Sequence, residues 1–178
     1  MVGHLRPVKD PMLTAKAVRK FHLPYEVYHW GAILDTQYAK EIEEEKQKNP
    51  YYHYLGEIPR RKGWEILAKS YLFSMTSIIE GGANALGEAI AIGIPVVASR
   101  IPGNIGLLGE SYEGYFTPAN IEELGRLLQR LSKDQPFYLT LKKQIMERQR
   151  FFHPSEEKKS WKSLLHGILE EDIPFQKQ

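Results

Sequence analysis

Apolar positions along this chain follow two periods in alternation. Short runs dense in Tyr, Val, Ile and Phe predict β-strands over 25–30, 51–56, 71–75 and 95–99, with a last short strand over 114–116. Between these runs apolar residues return every three or four positions, predicting helices over 12–21, 36–48, 59–69 and 83–92. Leu13, Ala17 and Phe21 mark one face of the first helix. The second is densely charged from Glu41 to Lys48, a solvated face, and Asn49-Pro50 ends it. The third carries Arg60, Arg61 and Lys62 in its first turn, where positive charge opposes the helix dipole. After the last strand, Asn120 with Glu123 makes a helix start, and Leu124, Leu127, Leu128 and Leu131 give an apolar stripe. A further helix is expected over 136–151. A final one has Ser155 as N-cap and Trp161, Leu164, Leu165 and Ile168 on one face. At the other end, Met1, Val2 and Gly3 have the character of the close of a first strand, with Asp10 as N-cap and Pro11 at the first helical position.

Strands alternating with helices predict a Rossmann-like three-layer α/β/α domain with a mostly parallel six-stranded sheet. The ligand of such a sheet sits beyond the carboxyl ends of its strands, where the loops 3–9, 56–59, 77–84 and 100–109 all fall.

Within this pattern the stretch from Ser74 to Gly109 stands out as strand, glycine turn, helix, strand and glycine loop. Between Gly81 and Ser99 its only ionisable side chain is Glu88. A lone carboxylate among Ala, Leu, Ile and Gly costs desolvation unless something specific receives it. Leu86, Ala89 and Ile90 form the core stripe of this helix, and Glu88 lies about 200° from Leu86 and Ile90 at about 100° per residue. The carboxylate therefore points away from the core. Gly81 and Gly82, before the helix, leave its first N–H groups open to an anion such as a pyrophosphate. A plain strand-to-helix turn is the alternative reading, because such turns occur throughout α/β proteins.

A chain of 178 residues has room for one domain with a sizeable core. With Lys plus Arg at 24 and Asp plus Glu at 22, the net charge of +2 does not argue for nucleic acid or an anionic membrane as partner. The absence of cysteine excludes disulfides, thiolate metal sites and cysteine nucleophiles, and fits a reducing cytoplasm. No run approaches the ~20 apolar residues of a membrane span, and the N-terminus lacks the pattern of a signal peptide. His22, His29, His53, His153 and His166 are scattered without metal-ligand spacing. Ser77 precedes Glu80 without a Gly-x-Ser-x-Gly frame, so a hydrolase elbow is not supported.

Taken in order, VGHLRPVKDP, YLGEIP, SIIEGGANALGEA, GIPVVAS and GYF cover most of residues 2 to 130. In this the chain resembles the C-terminal, donor-binding half of retaining glycosyltransferases of the large GT4 (group 1) family, which have the two-lobed GT-B fold. The most specific match is the pair Glu80 and Glu88, which reproduces the family's two glutamates with seven residues between them. The details VGHLR, KDP, EGGAN and SRIPGNIGLLG look most like a subgroup that includes the selenosugar synthases.

By residue type alone Glu80 and Glu88 could be a general acid and base, a pair of hydroxyl acceptors, or unrelated surface carboxylates. The resemblance selects the second: Glu80 would contact donor sugar hydroxyls and Glu88 the nucleotide ribose, as suits an acceptor-only carboxylate. Lys9 matches the family's pyrophosphate-binding lysine, where it would offset charge on the departing nucleotide. The resemblance therefore makes Glu80 and Lys9 the catalytic candidates. The chain departs from the family at Gly3-His4-Leu5, where His4 replaces an arginine and Arg6 lies two residues on. It departs again at Gly81-Gly82-Ala83-Asn84, in place of Gly-aromatic-Gly. These residues, with Ser77 and with Glu57 and Ile58 after the strand that places the base, complete the candidate donor-binding set. No metal or other cofactor is expected, the nucleotide-diphosphate sugar being the substrate.

The implied activity is transfer from a nucleotide-diphosphate sugar, a UDP-sugar in the preferred reading. A non-catalytic nucleotide-sugar-binding module and a GT-B epimerase are the rivals. Residues 1–154 would form the nucleotide-sugar domain, and 155–178 a helix and tail packing toward an N-terminal acceptor-binding lobe missing from this chain. The abrupt start suggests a domain excised from a longer protein or an incomplete gene product, with self-association through the exposed lobe interface as a further expectation.

Overall fold

The computed structural model describes residues 1–152 and 154–170. Its elements follow the predicted alternation: α1 (Leu13–Lys20), β1 (Val27–His29), α2 (Gln37–Lys48), β2 (Tyr52–Tyr54), α3 (Arg60–Ala68), β3 (Phe73–Met75), α4 (Asn84–Ile92) and β4 (Val96–Ser99). Then come α5 (Pro102–Leu108), β5 (Tyr115–Phe116), α6 (Ile121–Lys133), α7 (Gln135–Gln149) and α8 (Pro154–Glu170). Every ladder is parallel: Val27 stands opposite Tyr52, Phe73 opposite Val96 and Ala98 opposite Tyr115. All residues of β3 and β4 are buried, which is what a parallel sheet covered by helices on both faces requires. Leu86, Ala89 and Ile90 of α4 are fully buried in the core, as their spacing predicts. The start of α6 is also as predicted, with Asn120 Oδ1 accepting from the Glu123 N–H at 3.1 Å.

Four expectations need correction. Among the described residues there are five strands rather than six, because the chain near Val2 makes only an isolated bridge to Trp30 before leaving the sheet and touching it again at Leu5–Ile33. Residues 100–109 are not a loop throughout: Pro102, whose fixed φ suits a first helical turn, opens α5. Asp10 caps no helix; it sits in the left-handed region at φ 41° and closes a three-ten turn, Pro7–Lys9. Ser155 is not an N-cap either, since α8 already includes Pro154. Trp161, Leu164, Leu165 and Ile168 on that helix are each more than half exposed. His153 and the tail 171–178 lie outside the described residues.

The sheet is divided. One part is β1 with β2, the other β3, β4 and β5, and no ladder joins β1 to β3 among the described residues. Between them lies a cavity of about 490 Å³ at the amino ends of the strands, rimmed by Val27 and Tyr28 on one side and Leu72 and Ser74 on the other. Thr14 and Val18 of α1 and Ile66 of α3 also line it, with Met1 at its end. The Met1 ammonium donates to the Tyr28 carbonyl at 2.6 Å, and burial lowers its pKa to about 5. Backbone groups alternate sides along a strand. Because the Phe73 N–H bonds to Pro95 and the Val27 N–H to Tyr51, the backbone groups of Leu72, Ser74 and Tyr28 face the cavity. It therefore has the size, rims and covering of a seat for one more strand.

A β-prone extension of several residues placed ahead of Met1 should fill this slot. The expected outcome is a melting temperature raised by several degrees and slower hydrogen exchange at Tyr28 and Ser74, neither produced by a Gly-Ser extension of equal length.

Candidate functional site

At the carboxyl ends of the strands two loops are locked together. Lys9, closing the three-ten turn, forms an ion pair with Glu80 in the loop after β3. Their side chains are only 19% and 10% exposed. Ser77 donates to the same Glu80 oxygen, Oε1, at 2.7 Å. Backbone contacts fix the geometry further: the Thr76 hydroxyl lies 2.9 Å from the carbonyls of both Lys9 and Asp10, and the Ile78 N–H donates to Val8 at 2.8 Å. Ser99 donates to the Ser77 carbonyl and is in turn held by Asn104 of α5. Gly103 lies so close to the Glu80 carbonyl that a Cβ there would overlap it. The glycine is thus a requirement of the Glu80 loop rather than of α5.

The second carboxylate, Glu88, sits on α4 and points away from the core, as its helical phase predicts. Arg60 at the start of α3 reaches across to it, with Nε at 3.1 Å and Nη2 at 2.8 Å from Oε1. Beside this pair is a cavity of about 270 Å³, lined by Gly3, His4, Trp30, Glu57, Ile58, Trp64 and Glu88 among others. Aromatic and aliphatic walls with two carboxylates at the margin suit a flat heterocycle carrying hydroxyls. Between the two carboxylates, Gly81, Gly82 and Asn84 are exposed, and α4 begins after Ala83 without any side-chain cap. Its first N–H groups remain available to an anion.

His4 stands where the two regions meet. It lines the 270 Å³ cavity and also a narrow one of about 10 Å³ that Lys9 and Ser77 share. Its Nδ1 accepts from the Ala32 N–H at 3.0 Å, so the neutral ring carries its proton on Nε2, as a donor. Arg6 is exposed before the three-ten turn and lines neither cavity. The structure thus brings together Lys9, Ser77 and Glu80 in one place, and His4, Glu57, Ile58 and Glu88 in another. Arg60, Trp30 and Trp64 line the same cavity and are candidates that sequence reasoning missed. The one signal available for them was the unfavourable run of cations opening α3. Among the described residues no cluster of three His, Asp or Glu could hold a metal ion.

His29, one of the scattered histidines, also lines the narrow cavity. It is buried and meets the Tyr52 hydroxyl through Nδ1 at 3.1 Å. Burial, and secondarily the nearby Met1 ammonium, lower its pKa to about 3.

Comparison with known proteins gives the family and the fold. A family model described as "Glycosyl transferases group 1" matches residues 1–148. A Xenopus tropicalis protein named "Glycosyltransferase 1 domain-containing protein 1" is 28% identical over 133 residues, 72% of this chain and 39% of that protein. The Escherichia coli UDP-Gal:alpha-D-GlcNAc-diphosphoundecaprenol alpha-1,3-galactosyltransferase is 27% identical over 146 residues, 76% of this chain and 36% of that enzyme. The chain therefore spans well under half the length of these relatives. Among solved structures, Anabaena HepE in complex with UDP-glucose superposes with a TM-score of 0.77 at 21% identity, covering 93% of this chain and 48% of that one. The catalytic domain of the Helicobacter pylori cholesterol-alpha-glucosyltransferase gives 0.68 at 20% identity, covering 85% and 94%. The fold is accordingly the α/β lobe of a GT-B glycosyltransferase.

Two outcomes follow from the geometry. Gly103→Ala should displace the Glu80 loop, lowering stability by about 1–3 kcal/mol through overpacking against backbone; loss of the Lys9 and Ser77 contacts to Glu80 in a crystal structure of the variant would display the shift. For His29, the folded pKa lies below the ordinary value, so its contribution to stability is full above about pH 6.5 and is lost as pH falls through about 3. Urea unfolding should lose about 2 kcal/mol from this group between about pH 7 and about pH 5, and His29→Gln should remove that part of the slope.

Proposed function

The chain belongs to the group 1 glycosyl transferases, and from that premise we propose that it is the donor-binding half of a retaining, metal-independent enzyme that takes a UDP-sugar. The observation that carries this reading is the pair of carboxylates on either side of the uncapped start of α4, with Lys9 held against the first. Glu80 accepts hydrogen bonds from sugar hydroxyls, Glu88 from the ribose, and the N–H groups of Gly82 to Asn84 receive the diphosphate. Ile58 and the indoles of Trp30 and Trp64 wall the base. His4, through Nε2–H, takes the phosphate contact that the family gives to arginine. When the sugar C1–O bond breaks, the electron pair leaves with the diphosphate, and Lys9 offsets the charge that develops there. The acceptor's nucleophilic atom then bonds to C1 on the face that the nucleotide left, and its proton passes to the departing diphosphate oxygen.

The assignment to the GT4 family rests on the ordered motifs and on the pair Glu80 and Glu88, and that to its selenosugar-synthase-like subgroup on VGHLR, KDP, EGGAN and SRIPGNIGLLG. Residues 1–154 form the donor domain in this reading, and 155–178 a helix and tail that pack on an acceptor lobe or, without it, on a second copy. The exposed Trp161, Leu164, Leu165 and Ile168 support that role for α8. Reaction between two bound substrates needs both held in register and water excluded, so turnover requires the acceptor lobe. A cytoplasmic setting fits the cysteine-free chain.

Calorimetry tests the reading directly. The chain should bind UDP, and Glu88→Ala should weaken binding about ten- to a hundredfold, the worth of a hydrogen bond to a charged group. Equal affinity for the two proteins would overturn the ribose assignment. Product analysis with both lobes present separates transfer from epimerisation.

A further inference from the structure

We propose that Arg60 is the positioning residue for Glu88: it fixes one carboxylate oxygen so that the other alone is presented to the ribose diol. This inference rests on the reading of the 270 Å³ cavity as the nucleoside seat. Three features of the structure point to it. The first is the convergence of both Nε and Nη2 of Arg60 on Oε1, which leaves Oε2 without a protein donor among the described residues. A guanidinium fork paired with both oxygens would instead have closed the carboxylate to a ligand.

The second is how Arg60 is itself held. Its guanidinium lies over the Trp64 ring, 4.6 Å from the centroid, and Trp64 stands on the next turn of α3 and lines the same cavity. A planar cation backed by an aromatic face keeps its direction in a way that a lysine would not. The third is position. The first turn of α3 contains no acid, and the dipole there disfavours a cation. Arg61 finds its partner one turn on, in Glu65 at 3.2 Å, whereas Arg60 reaches a different helix. Glu88 is 23% exposed and lines the cavity, whereas the Arg60 side chain is 73% exposed and reaches it from the solvent side, its direction set by Trp64.

A fixed Oε2 makes recognition of the ribose hydroxyls dependent on Arg60 although Arg60 does not touch them. The test is calorimetry with UDP and with its 2′-deoxy and 3′-deoxy analogues, on wild type, Arg60→Met, Arg60→Lys, Glu88→Gln and the double variant Arg60→Met/Glu88→Gln. Arg60→Met should lower affinity for UDP by about tenfold while leaving that for the weaker-binding deoxy analogue nearly unchanged, so that discrimination between them collapses. Arg60→Lys should restore only part of it, and in the Glu88→Gln background Arg60→Met should add nothing. An Arg60→Met protein that binds all three ligands equally weakened, that keeps its discrimination, or that binds UDP more tightly would overturn the assignment. Absence of UDP binding by the wild type would overturn the donor reading itself, a result distinct from binding with unaltered discrimination.

Discussion

The ion pair between Lys9 and Glu80 is the interaction on which the arrangement of the site depends. Its partners come from the chain's first loop and from the loop after β3, which three further hydrogen bonds also join. Thr76 and Ile78 add backbone bonds between them, and Ser77 presents Glu80 from below. A mostly buried pair of this kind contributes little to stability after desolvation, but losing one partner leaves the other charge stranded. Geometry is therefore its main consequence. Gly103 extends the same constraint to α5, because the Glu80 carbonyl occupies the space where any side chain would stand.

The sheet beneath this site is asymmetric in a related way. Its strands β3 and β4 are fully buried and carry the Glu80 loop, α4 and α5. Its β1–β2 part is joined to the rest through Val2, Gly3 and Leu5, and through the helices that cover both. Gly31 shows how close that join is: at φ +143° its position admits no Cβ, because the Gly3 carbonyl lies against it. Lys9 and His4 sit on the segment that spans the join. The placement of the candidate phosphate contacts thus depends on a part of the fold where two loops, rather than a strand ladder, fix the chain.

Much of this was legible in the amino-acid sequence. The alternation of strands and helices, the buried stripe Leu86, Ala89 and Ile90, the outward direction of Glu88 and the cap at Asn120 all follow from local periodicity and capping chemistry. What escaped has physical reasons. Helix α5 was hidden because Gly103 and Gly106 signal a loop, and the need for Gly103 comes from a contact with Glu80, far away in sequence. The sixth strand is missing from the count because Met1 to Gly3 supply only its end, a single parallel bridge from Val2 to Trp30 that is too short for a ladder. Asp10 looked like a cap beside Pro11, yet it closes the Pro7–Lys9 turn in a left-handed conformation and α1 starts only at Leu13. Arg60 was visible only as an oddity of charge at a helix start, because its partner lies on another helix.

Both carboxylates of the site are thus held by a cation from another element, Glu80 by Lys9 and Glu88 by Arg60. The two pairs are alike in what they leave to a ligand. Glu88 keeps Oε2 without a protein donor among the described residues, and so does Glu80, because Lys9 and Ser77 both converge on its Oε1. The Lys9 ammonium has three N–H groups and meets one carboxylate oxygen, so it can turn the others to a diphosphate. On the donor reading, sugar and ribose hydroxyls can therefore be added without breaking either pair, and each cation sets which carboxylate oxygen receives them.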